Sequence, residues 1–446
     1  MGMETPICDF LHRYAQSQTL RLHMPGHKGV TRLGVEHLDL TEIEGADSLY
    51  EAQGIIARSE ENASRLFGCR TLYATEGSSQ CIRAMLYLVQ LYARIQGKRP
   101  RIAAGRNVHK TFLSGVALLD LEVCWLYPRE NPGYLSCYLT ATELEAYLQQ
   151  QQPVAVYLTC PDYLGNLVDL RELAAVCHRH GALLVVDNAH GAYLKFLPQS
   201  LHPIDLGADL CCDSAHKTLP VLTGGAYLHL SRALDRVVGE QAKQALVLFG
   251  STSPSYLIMA SLDLVNPYLE QHSARLEAFL PLVAGMKERL CRRGYILSGS
   301  EPMKLTIQAG TYGYRGTQLA DLLRQRGIEP EFADADHLVL MLTPEIGAEG
   351  LQRLEQALLD IPRQAAIPGQ SPVFRPGRQV LSIREAMLSP WERLPVEACV
   401  GRVLASPSVG CPPAVPILIC GEEIDAHAVG CFAYYGVTHC EVVRIY

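Results

Sequence analysis

The sequence predicts an α/β protein in which a mostly parallel sheet forms a large domain, followed by a smaller α/β domain and a small C-terminal domain. Three observations support this fold class. Between about residues 70 and 230, short apolar runs alternate with amphipathic segments, as in strands joined by crossover helices. A second alternation follows, in which the short strands "KLTIQ" and "HLVLMLT" are interleaved with two helices. With 446 residues, the chain is long enough for two or three separate cores.

Pattern and composition divide the chain along its length. A long helical stretch runs from Tyr256 to about Arg293. Residues 362–379 are rich in Pro and Gly, which is typical of a linker. The predicted parts are an N-terminal arm with a short helix (1–40), a large domain (41–250), a small α/β domain (251–365) and a C-terminal domain (380–446).

The clearest strand–helix–strand unit lies in the middle of the chain. "VAVYLT" (Val154–Thr159) is typical of a buried strand. The segment "DLRELAAVCHRHG" (Asp169–Gly181) predicts a helix that is capped by its first residue and stopped by its last. Further strands are predicted at Ala182–Asp187, Ala208–Ser214 and Gly225–Leu230. Ligands in such sheets bind beyond the carboxyl ends of the strands, which is where Asp187 and Ser214–Lys217 fall.

Composition and charge exclude several classes of protein. The chain is 48% hydrophobic and 19% charged, as in ordinary globular proteins. Its net charge of -7 does not indicate the basic surface that binds nucleic acid. No apolar run approaches the ~20 residues that cross a bilayer. The N-terminal stretch "MGMETPICDFLHRYAQ" has an acidic residue near its start, which is unlike a secretory signal peptide. We expect a cytoplasmic protein with a small-molecule substrate and no nucleic-acid or membrane partner.

The fifteen cysteines are spread along the chain, and many lie in apolar segments. In a reducing cytosol, free cysteines behave as small buried hydrophobes. The sequence has no C-x-x-C pair, and Cys177, His178 and His180 have no partner ligands at zinc spacing. We therefore expect no metal site.

Two stretches carry polar groups at positions suited to a ligand. "TEGSSQCIRAM" opens a helix with Ser78 and Ser79 in its first turn, where free N–H groups and hydroxyls suit a phosphate. Ordinary N-capping by serine is the alternative interpretation. Asp187 ends a run of apolar residues and is followed by His190 and Gly191. Its carboxylate is either a cap in a packed turn or a functional group.

The stretch "DSAHKTLP" places His216 and Lys217 side by side between two predicted strands. A solvated lysine would need no explanation, whereas desolvation lowers the pKa of a lysine at the mouth of a buried sheet and makes it a nucleophile. Ser214 and Thr218 flank the pair. His109 follows another predicted strand; a lone histidine is more often structural, but beside these groups it can cover a planar ring.

Together these features predict a site for pyridoxal 5'-phosphate. That cofactor needs an amine for a Schiff base, an acid that keeps the pyridine nitrogen protonated, and hydroxyl and N–H groups for its phosphate. Each feature is weak alone. Asp187 precedes Lys217 and both lie at strand ends, and it is this ordered set that indicates the cofactor.

Long motifs give the chain a resemblance to a known family. It resembles the Orn/Lys/Arg decarboxylases, which belong to the aspartate-aminotransferase fold group (fold type I), and specifically their short biosynthetic branch. The resemblance covers essentially the whole chain. The motifs that carry it are "HMPGHKG", "DLTEIEGADSLYEAQGII", "ATEGSSQCIRAM", "RNVHKT", "VVDNAHGAY", "DSAHKTLPVLTGGAYL", "STSPSYLIMASLD" and "VGRVLASPSVGCPPAVPILICGEEI".

The resemblance implies a role for each matching residue. Lys217 would form the Schiff base, Asp187 would pair with the pyridine nitrogen and His109 would stack on the ring. His190 would lie near the phenolic oxygen. Residues that would hold the phosphate or border the Schiff base are Ser78, Ser79, Ser214 and His216. Thr252 would reach the site of the neighbouring protomer, which implies a homodimer or a dimer-based oligomer.

The resemblance also implies a reaction, decarboxylation of arginine, lysine or ornithine to the amine and CO2, as in polyamine metabolism. His216 and Lys217 are both candidate donors of the proton to Cα. Glu422, in "GCPPAVPILICGEEI", can pair with the distal cation of the substrate, although a solvated turn charge is the alternative. Ala414 and Cys420 replace residues common in the family there. The stretches "DNAHGAY" and "DSAHKT" also depart from the expected "DEAHG" and "QSTHK", which leaves the substrate open.

Two other functions remain as alternatives. An aminotransferase or β-lyase of the same fold would use the same lysine, but aminotransferases generally clamp the substrate α-carboxylate with an arginine. Arg315 and Arg326 lie in the small domain, in no motif that matches. A non-catalytic protein that binds pyridoxal phosphate is the second alternative. The presence of both Lys217 and Asp187 argues against it.

Overall fold

A computed structural model describes residues 2–128, 133–368, 371–373, 375–406 and 414–445. Parts of the predicted linker and of the "VGRVLASPSVGCPPAVPILICGEEI" motif lie outside these residues. The helices are α1 (Pro6–Gln16), α2 (Ile55–Phe67), α3 (Gly77–Ile95), α4 (Lys110–Leu119), α5 (Ala141–Gln151), α6 (Leu170–Arg179), α7 (Ala215–Thr218), α8 (Arg232–Val238), α9 (Ala242–Val247), α10 (Tyr256–Leu269), α11 (His272–Arg293), α12 (Gly316–Arg324), α13 (Gly347–Leu359), α14 (Ile383–Met387) and α15 (Ala426–Tyr434).

The strands form a seven-stranded, a four-stranded and a two-stranded sheet. They are β1 (Arg70–Ala74), β2 (Arg101–Gly105), β3 (Glu122–Leu126), β4 (Ala155–Thr159), β5 (Leu183–Asp187), β6 (Leu210–Asp213), β7 (Ala226–Leu230), β8 (Leu297–Ser298), β9 (Lys304–Gln308), β10 (Phe332–Ala333), β11 (His337–Met341), β12 (Trp391–Pro395) and β13 (His439–Val443). The large sheet has the order β1-β7-β6-β5-β4-β2-β3. The predicted α/β fold class is confirmed.

The chain divides into two compact units. The first unit contains Met1–Pro100, Val154–Val156 and Leu170–Leu276. The second unit contains Arg101–Pro153, Tyr157–Asp169 and Glu277–Tyr446. The division into four parts stays a prediction.

In the first unit, β5 and β6 are parallel, with Asp187 paired to Cys212. Their carboxyl ends therefore lie side by side. β7 runs antiparallel to both β6 and β1. The connection, residues 214–225, contains only the four-residue helix α7, which is too short to act as the crossover helix of a parallel pair.

The predicted helical stretch from Tyr256 to Arg293 is two helices rather than one. α10 ends at Leu269 and α11 begins at His272. At the break, the N–H of Gln271 donates to the carbonyl of Tyr268, a bond one residue shorter than the α-helical pattern.

In the second unit, β2 and β3 are parallel and the smaller sheets are antiparallel. The four-stranded sheet has the order β10-β11-β9-β8. In the chain, α12 lies between β9 and β10, and α13 follows β11. β12 and β13 form the two-stranded sheet near α14 and α15 in the chain. A hydrophobic cluster joins Phe332 and Val339 to C-terminal residues such as Phe432 and Val442. Of the helices described, none combines the length and apolar character needed to cross a bilayer.

Candidate active site

Asp187 closes β5 as a buried carboxylate. It is 2% exposed, and its Oδ1 accepts a hydrogen bond of 3.1 Å from the backbone N–H of Ala189. The thiol of Cys212 on β6 lies 3.7 Å from the same oxygen. Burial, and then the charge of Asp187, raise the pKa of Cys212 well above its usual value, so this thiol stays protonated.

Lys217 lies in α7, one helical turn beyond the end of β6. Its Nζ is 3.0 Å from Nε2 of His190, which follows β5 and is 5% exposed. The two side chains come from the ends of adjacent parallel strands. The structure therefore brings Lys217 and His190 into direct contact.

His216 is held by the backbone that leads into β7. Its Nδ1 lies 3.0 Å from the carbonyl oxygen of Gly225, and its N–H donates to the same oxygen at 3.2 Å. Since a carbonyl only accepts, Nδ1 carries the proton, which fixes the tautomer of the neutral ring.

The first turn of α3 lies beside the start of α7. The hydroxyl of Ser214 donates to Ser78 Oγ at 2.8 Å. The N–H of Gly77 donates to the carbonyl of Gly224 at 2.7 Å. Gly224 has a φ of +99°, and a Cβ there would meet the carbonyl oxygen of Thr75 at 2.7 Å, so only glycine fits. This packing holds Ser78 and Ser79 in the first turn of a 19-residue helix.

Thr252 lies in the exposed loop between α9 and α10. The N–H of its neighbour Ser251 donates to the carboxylate of Glu76, the residue that precedes α3. The loop is thus attached to the same helix start as Ser78 and Ser79.

Sequence reasoning missed a buried network centred on Asp213. This carboxylate is fully buried, and its Oδ2 lies 3.2 Å from His202 Nε2 and 3.0 Å from His229 Nε2. Its Oδ1 accepts a 2.7 Å bond from the amide of Asn188, the residue after Asp187. The position of Asp213 at a strand end was the available signal, but its partners depend on tertiary contacts.

The charges of this network stabilise one another. Burial would raise the pKa of Asp213, but the charges and hydrogen bonds of His202 and His229 outweigh burial and lower that pKa. Burial would lower the pKa of His229, but Asp213 outweighs burial and raises it. Asp213 therefore holds Asn188 in place beside Asp187 as a fixed negative group.

Two predicted site residues lie in the second unit. His109 is the N-cap of α4, where its Nδ1 accepts a 3.2 Å bond from the N–H of Thr111. Glu422 is 1% exposed, so it is not the solvated turn charge of the alternative interpretation. Its Oε2 accepts a 2.7 Å bond from the N–H of Ile419 and lies 3.5 Å from Nη2 of Arg106.

Arg106 was not recognised from the sequence. It is 1% exposed and donates to the carbonyls of Pro416 and Ile417 at 3.0 and 3.1 Å. Together, Arg106 and Glu422 fix the segment from Pro416 to Ile419, which lies in the motif "GCPPAVPILICGEEI".

The groups of the first unit fit pyridoxal phosphate by their chemistry. They include an amine on Lys217, a buried carboxylate on Asp187 and hydroxyls on an accessible helix start. The hydroxyl of Thr218, next to Lys217, is buried and has no hydrogen-bond partner among the residues that the structure describes. The fold and these groups define a pyridoxal-phosphate-dependent enzyme of fold type I.

Comparison with known proteins agrees. The family model described as "Orn/Lys/Arg decarboxylase, major domain" matches residues 5–290. The arginine decarboxylase of Bacillus subtilis is 28% identical, with 94% of this chain and 91% of that protein covered. The uncharacterized protein YaaO of the same organism is also 28% identical, over 96% and 93%.

Solved structures show the same fold. The lysine decarboxylase LdcF of Francisella novicida superposes with a TM-score of 0.80 at 16% identity, covering 99% of this chain and 81% of that one. The constitutive lysine decarboxylase of Escherichia coli gives 0.77 at 17%, covering 99% and 82%. The chain belongs to the Orn/Lys/Arg decarboxylase family, whose members are pyridoxal-phosphate-dependent lyases.

Proposed function

We propose that this enzyme decarboxylates a basic L-amino acid, with arginine the first candidate and lysine and ornithine the others. The substrate loses CO2 from Cα and gains a proton there, giving the corresponding amine for polyamine-type metabolism. The observation that carries the proposal is the placement of Lys217 and Asp187 at the ends of adjacent strands β6 and β5, in a chain of this family. The arginine decarboxylase of Bacillus subtilis, matched over 94% of this chain, supports arginine as the first choice.

The chemistry of each residue indicates its role in this reaction. Pyridoxal phosphate, when bound, accepts the electron pair released from the bond between Cα and the carboxylate. Lys217 would hold the cofactor covalently through Nζ. Asp187 would keep a proton on the pyridine nitrogen, because its buried negative charge favours the cationic ring. Residues that would bind the phosphate or border the lysine are Ser78, Ser79, Ser214 and His216.

Two histidines would position the ring and the lysine. His190 Nε2 lies within hydrogen-bond distance of Lys217 Nζ and so can orient that amine or exchange a proton with it. His109 would stack on the cofactor ring. The proton delivered to Cα would come from Lys217 or from His216, whose Nδ1–H is already used by Gly225. Because the neutral ring carries its proton on Nδ1, His216 would donate from Nε2 only when its imidazole is protonated on both nitrogens.

The partner of the chain in this proposal is a second copy of itself. The arm between α1 and α2 exposes several large apolar side chains, with Leu20 at 78%, Leu22 at 82% and Leu33 at 87%. A second subunit would cover such residues. Thr252, exposed in its loop, would then reach the neighbouring site. We also keep the cytoplasm as the proposed location, where the free thiols would stay reduced.

The testing experiment combines a visible absorption spectrum with a CO2-release screen on L-arginine, L-lysine and L-ornithine. We expect the band of a protein-bound Schiff base in the wild type, its loss in Lys217→Ala, and CO2 release from one of the three amino acids. A band without release of CO2, together with amino transfer to a 2-oxo acid, would favour the aminotransferase alternative. A protein that shows no band after addition of pyridoxal phosphate would contradict the proposal.

A further inference from the structure

The second unit contains a polar cavity of about 160 Å³ that the proposed reaction does not use. That volume exceeds the ~30 Å³ share of one water several-fold. Its lining includes the carboxylates of Asp334 and Asp336, the imidazole of His337 and the amide side chains of Asn166 and Gln308. Among the lining residues that the structure describes, none is Lys or Arg. The cavity therefore contains acidic groups without a protein cation in its wall.

Asp334 is the central group of this cavity. It is 6% exposed and precedes the strand β11 by three residues. Its Oδ1 accepts the backbone N–H groups of Asp336 at 2.8 Å and His337 at 2.6 Å. Its Oδ2 is buried and has no hydrogen-bond partner within the described part of the chain. A buried carboxylate oxygen left in this state costs free energy, because burial removes its water without replacement.

His337 and Asp336 complete the cluster. His337 Nδ1 lies 3.5 Å from Asp334 Oδ1 and is likewise buried without a hydrogen-bond partner among the described residues. Asp336 Oδ1 accepts a 2.5 Å bond from the hydroxyl of Tyr434 on α15, which orients its carboxylate. Burial, followed by the charges of Asp336 and Asp334, raises the pKa of Tyr435 in the same wall.

One ligand atom from each of Asp334, Asp336 and His337 lies within 4.8 Å of the other two. Small side-chain adjustments would place all three ligand atoms about 2.0–2.2 Å from one metal ion. We propose that the three residues form a site for a divalent metal ion, with water in its remaining coordination positions. Two carboxylates and one imidazole suit Mn²⁺ or Zn²⁺ better than Ca²⁺, which prefers oxygen ligands alone.

This site departs from the expectation of no metal drawn from the sequence. That expectation rested on the spacing of cysteines and histidines, whereas these ligands form a D-x-D-H run that ends at the first residue of β11. The bound ion would satisfy the two buried atoms. Through Asp336 and Tyr434 it would connect the β10–β11 hairpin to α15, so it would stabilise the second unit without taking part in the reaction.

The test uses Mn²⁺ as the probe, because carboxylate and imidazole suit Mn²⁺ whereas thiolates prefer softer metals. Free Mn²⁺ is counted by electron paramagnetic resonance during titration of the full-length holoenzyme. We expect one ion per chain in the wild type, with affinity weakened at least ~10-fold in Asp334→Asn and in Asp336→Asn. Glu349→Gln, which removes an exposed charge outside the cavity, is the matched control and should bind as the wild type does. Mn²⁺ should also raise the Tm of the wild type and of the control, but not of Asp334→Asn.

Two results would overturn the proposal. One is a wild-type protein that binds no Mn²⁺ up to about 1 mM, a concentration that corresponds to very weak affinity. The other is unchanged affinity in the variants, which would place the ion elsewhere, such as on the cofactor phosphate. Since Asp334→Asn also alters two backbone hydrogen bonds, His337→Gln serves as a milder variant. It should weaken binding ~10-fold with an unchanged circular dichroism spectrum, and unchanged affinity in this variant would equally contradict the site.

Discussion

Nε2 of His190 lies 3.0 Å from Nζ of Lys217, although the two residues follow different strands of the large sheet. Asp187, three residues before His190, ends the strand β5. One short segment therefore carries both a buried carboxylate and the imidazole that contacts the lysine of α7.

The first prediction concerns His190 as a residue that orients Lys217. His190→Ala should lower kcat/KM by about 10- to 100-fold, an amount typical of supporting groups. It should also alter the pH dependence of the visible absorption band, because a hydrogen bond to the lysine nitrogen is lost. His178→Ala is the control, since His178 pairs with Asp209 outside the site and is half exposed. An unchanged pH titration of the band in His190→Ala would contradict this role.

The second prediction distinguishes the role of the Asp187 carboxylate from that of the Lys217 amine. Asp187→Asn keeps the shape of a buried side chain but removes its charge, so kcat should fall about 10²- to 10³-fold. Covalent attachment should persist, because Lys217 is intact, and borohydride reduction followed by mass spectrometry measures it. Asp205→Asn changes an ion pair with Lys195 at the surface and should leave kcat unaltered. Wild-type kcat in Asp187→Asn would remove Asp187 from the mechanism.

The third prediction concerns the stability supplied by Asp213. Removing one member of a buried ion pair costs about 3–5 kcal/mol, because the remaining charge has no partner. Asp213→Asn should therefore lower the free energy of unfolding by this order, since His202 and His229 lose their carboxylate. Asp235→Asn breaks a half-exposed pair with Arg70 and should cost about 1 kcal/mol or less. Urea unfolding of both variants measures the difference.

The pH dependence of this effect follows from the two pKa shifts. The lowered pKa of Asp213 contributes stability above the unfolded value of about 3.9, which is lost as the pH falls through the folded value. The raised pKa of His229 contributes stability below the unfolded value of about 6.5, which is lost as the pH rises through the folded value. The stability difference between wild type and Asp213→Asn should thus be largest between about pH 4 and 6.5. A difference that is independent of pH would contradict the network of charges.

The strands that position the site could be predicted because their signals are local. β4, β5, β6 and β7 each lie within the predicted apolar run, and α6 lies within its predicted bounds. The antiparallel direction of β7 was not predicted. It depends on how the connection from β6 folds and on pairing with β1, which is distant in sequence.

The positions of three candidate site residues were predictable for the same reason. Asp187 ends a strand, His190 and Lys217 follow strands, and topology brings strand ends together. The partners of buried charges had no local signal. Asp213 meets His229 only through the pairing of β6 with β7, and Arg106 meets Glu422 from a remote part of the chain. The three-residue cluster at Asp334 likewise becomes a candidate site only when the burial of its oxygen is known.

The fourth prediction tests Glu422, for which the sequence indicates contact with the substrate and the structure shows contact with Arg106. Both side chains are about 1–2% exposed, so Glu422→Gln leaves a buried guanidinium without its carboxylate. The free energy of unfolding should fall by about 3–5 kcal/mol. Glu423→Gln is the adjacent control, because Glu423 pairs with Arg378, which is 77% exposed, and such pairs contribute about 0–1 kcal/mol.

Kinetics of the same two variants decide the substrate role. Measured well below the Tm of Glu422→Gln, KM for the preferred amino acid should rise about 10-fold or more if Glu422 pairs with the distal cation, because a charge-assisted contact is lost. Glu423→Gln should keep the wild-type KM. A destabilised Glu422→Gln enzyme with unchanged KM would show that Glu422 only holds Arg106 in place. The carboxylate that selects a basic substrate would then have to come from another residue.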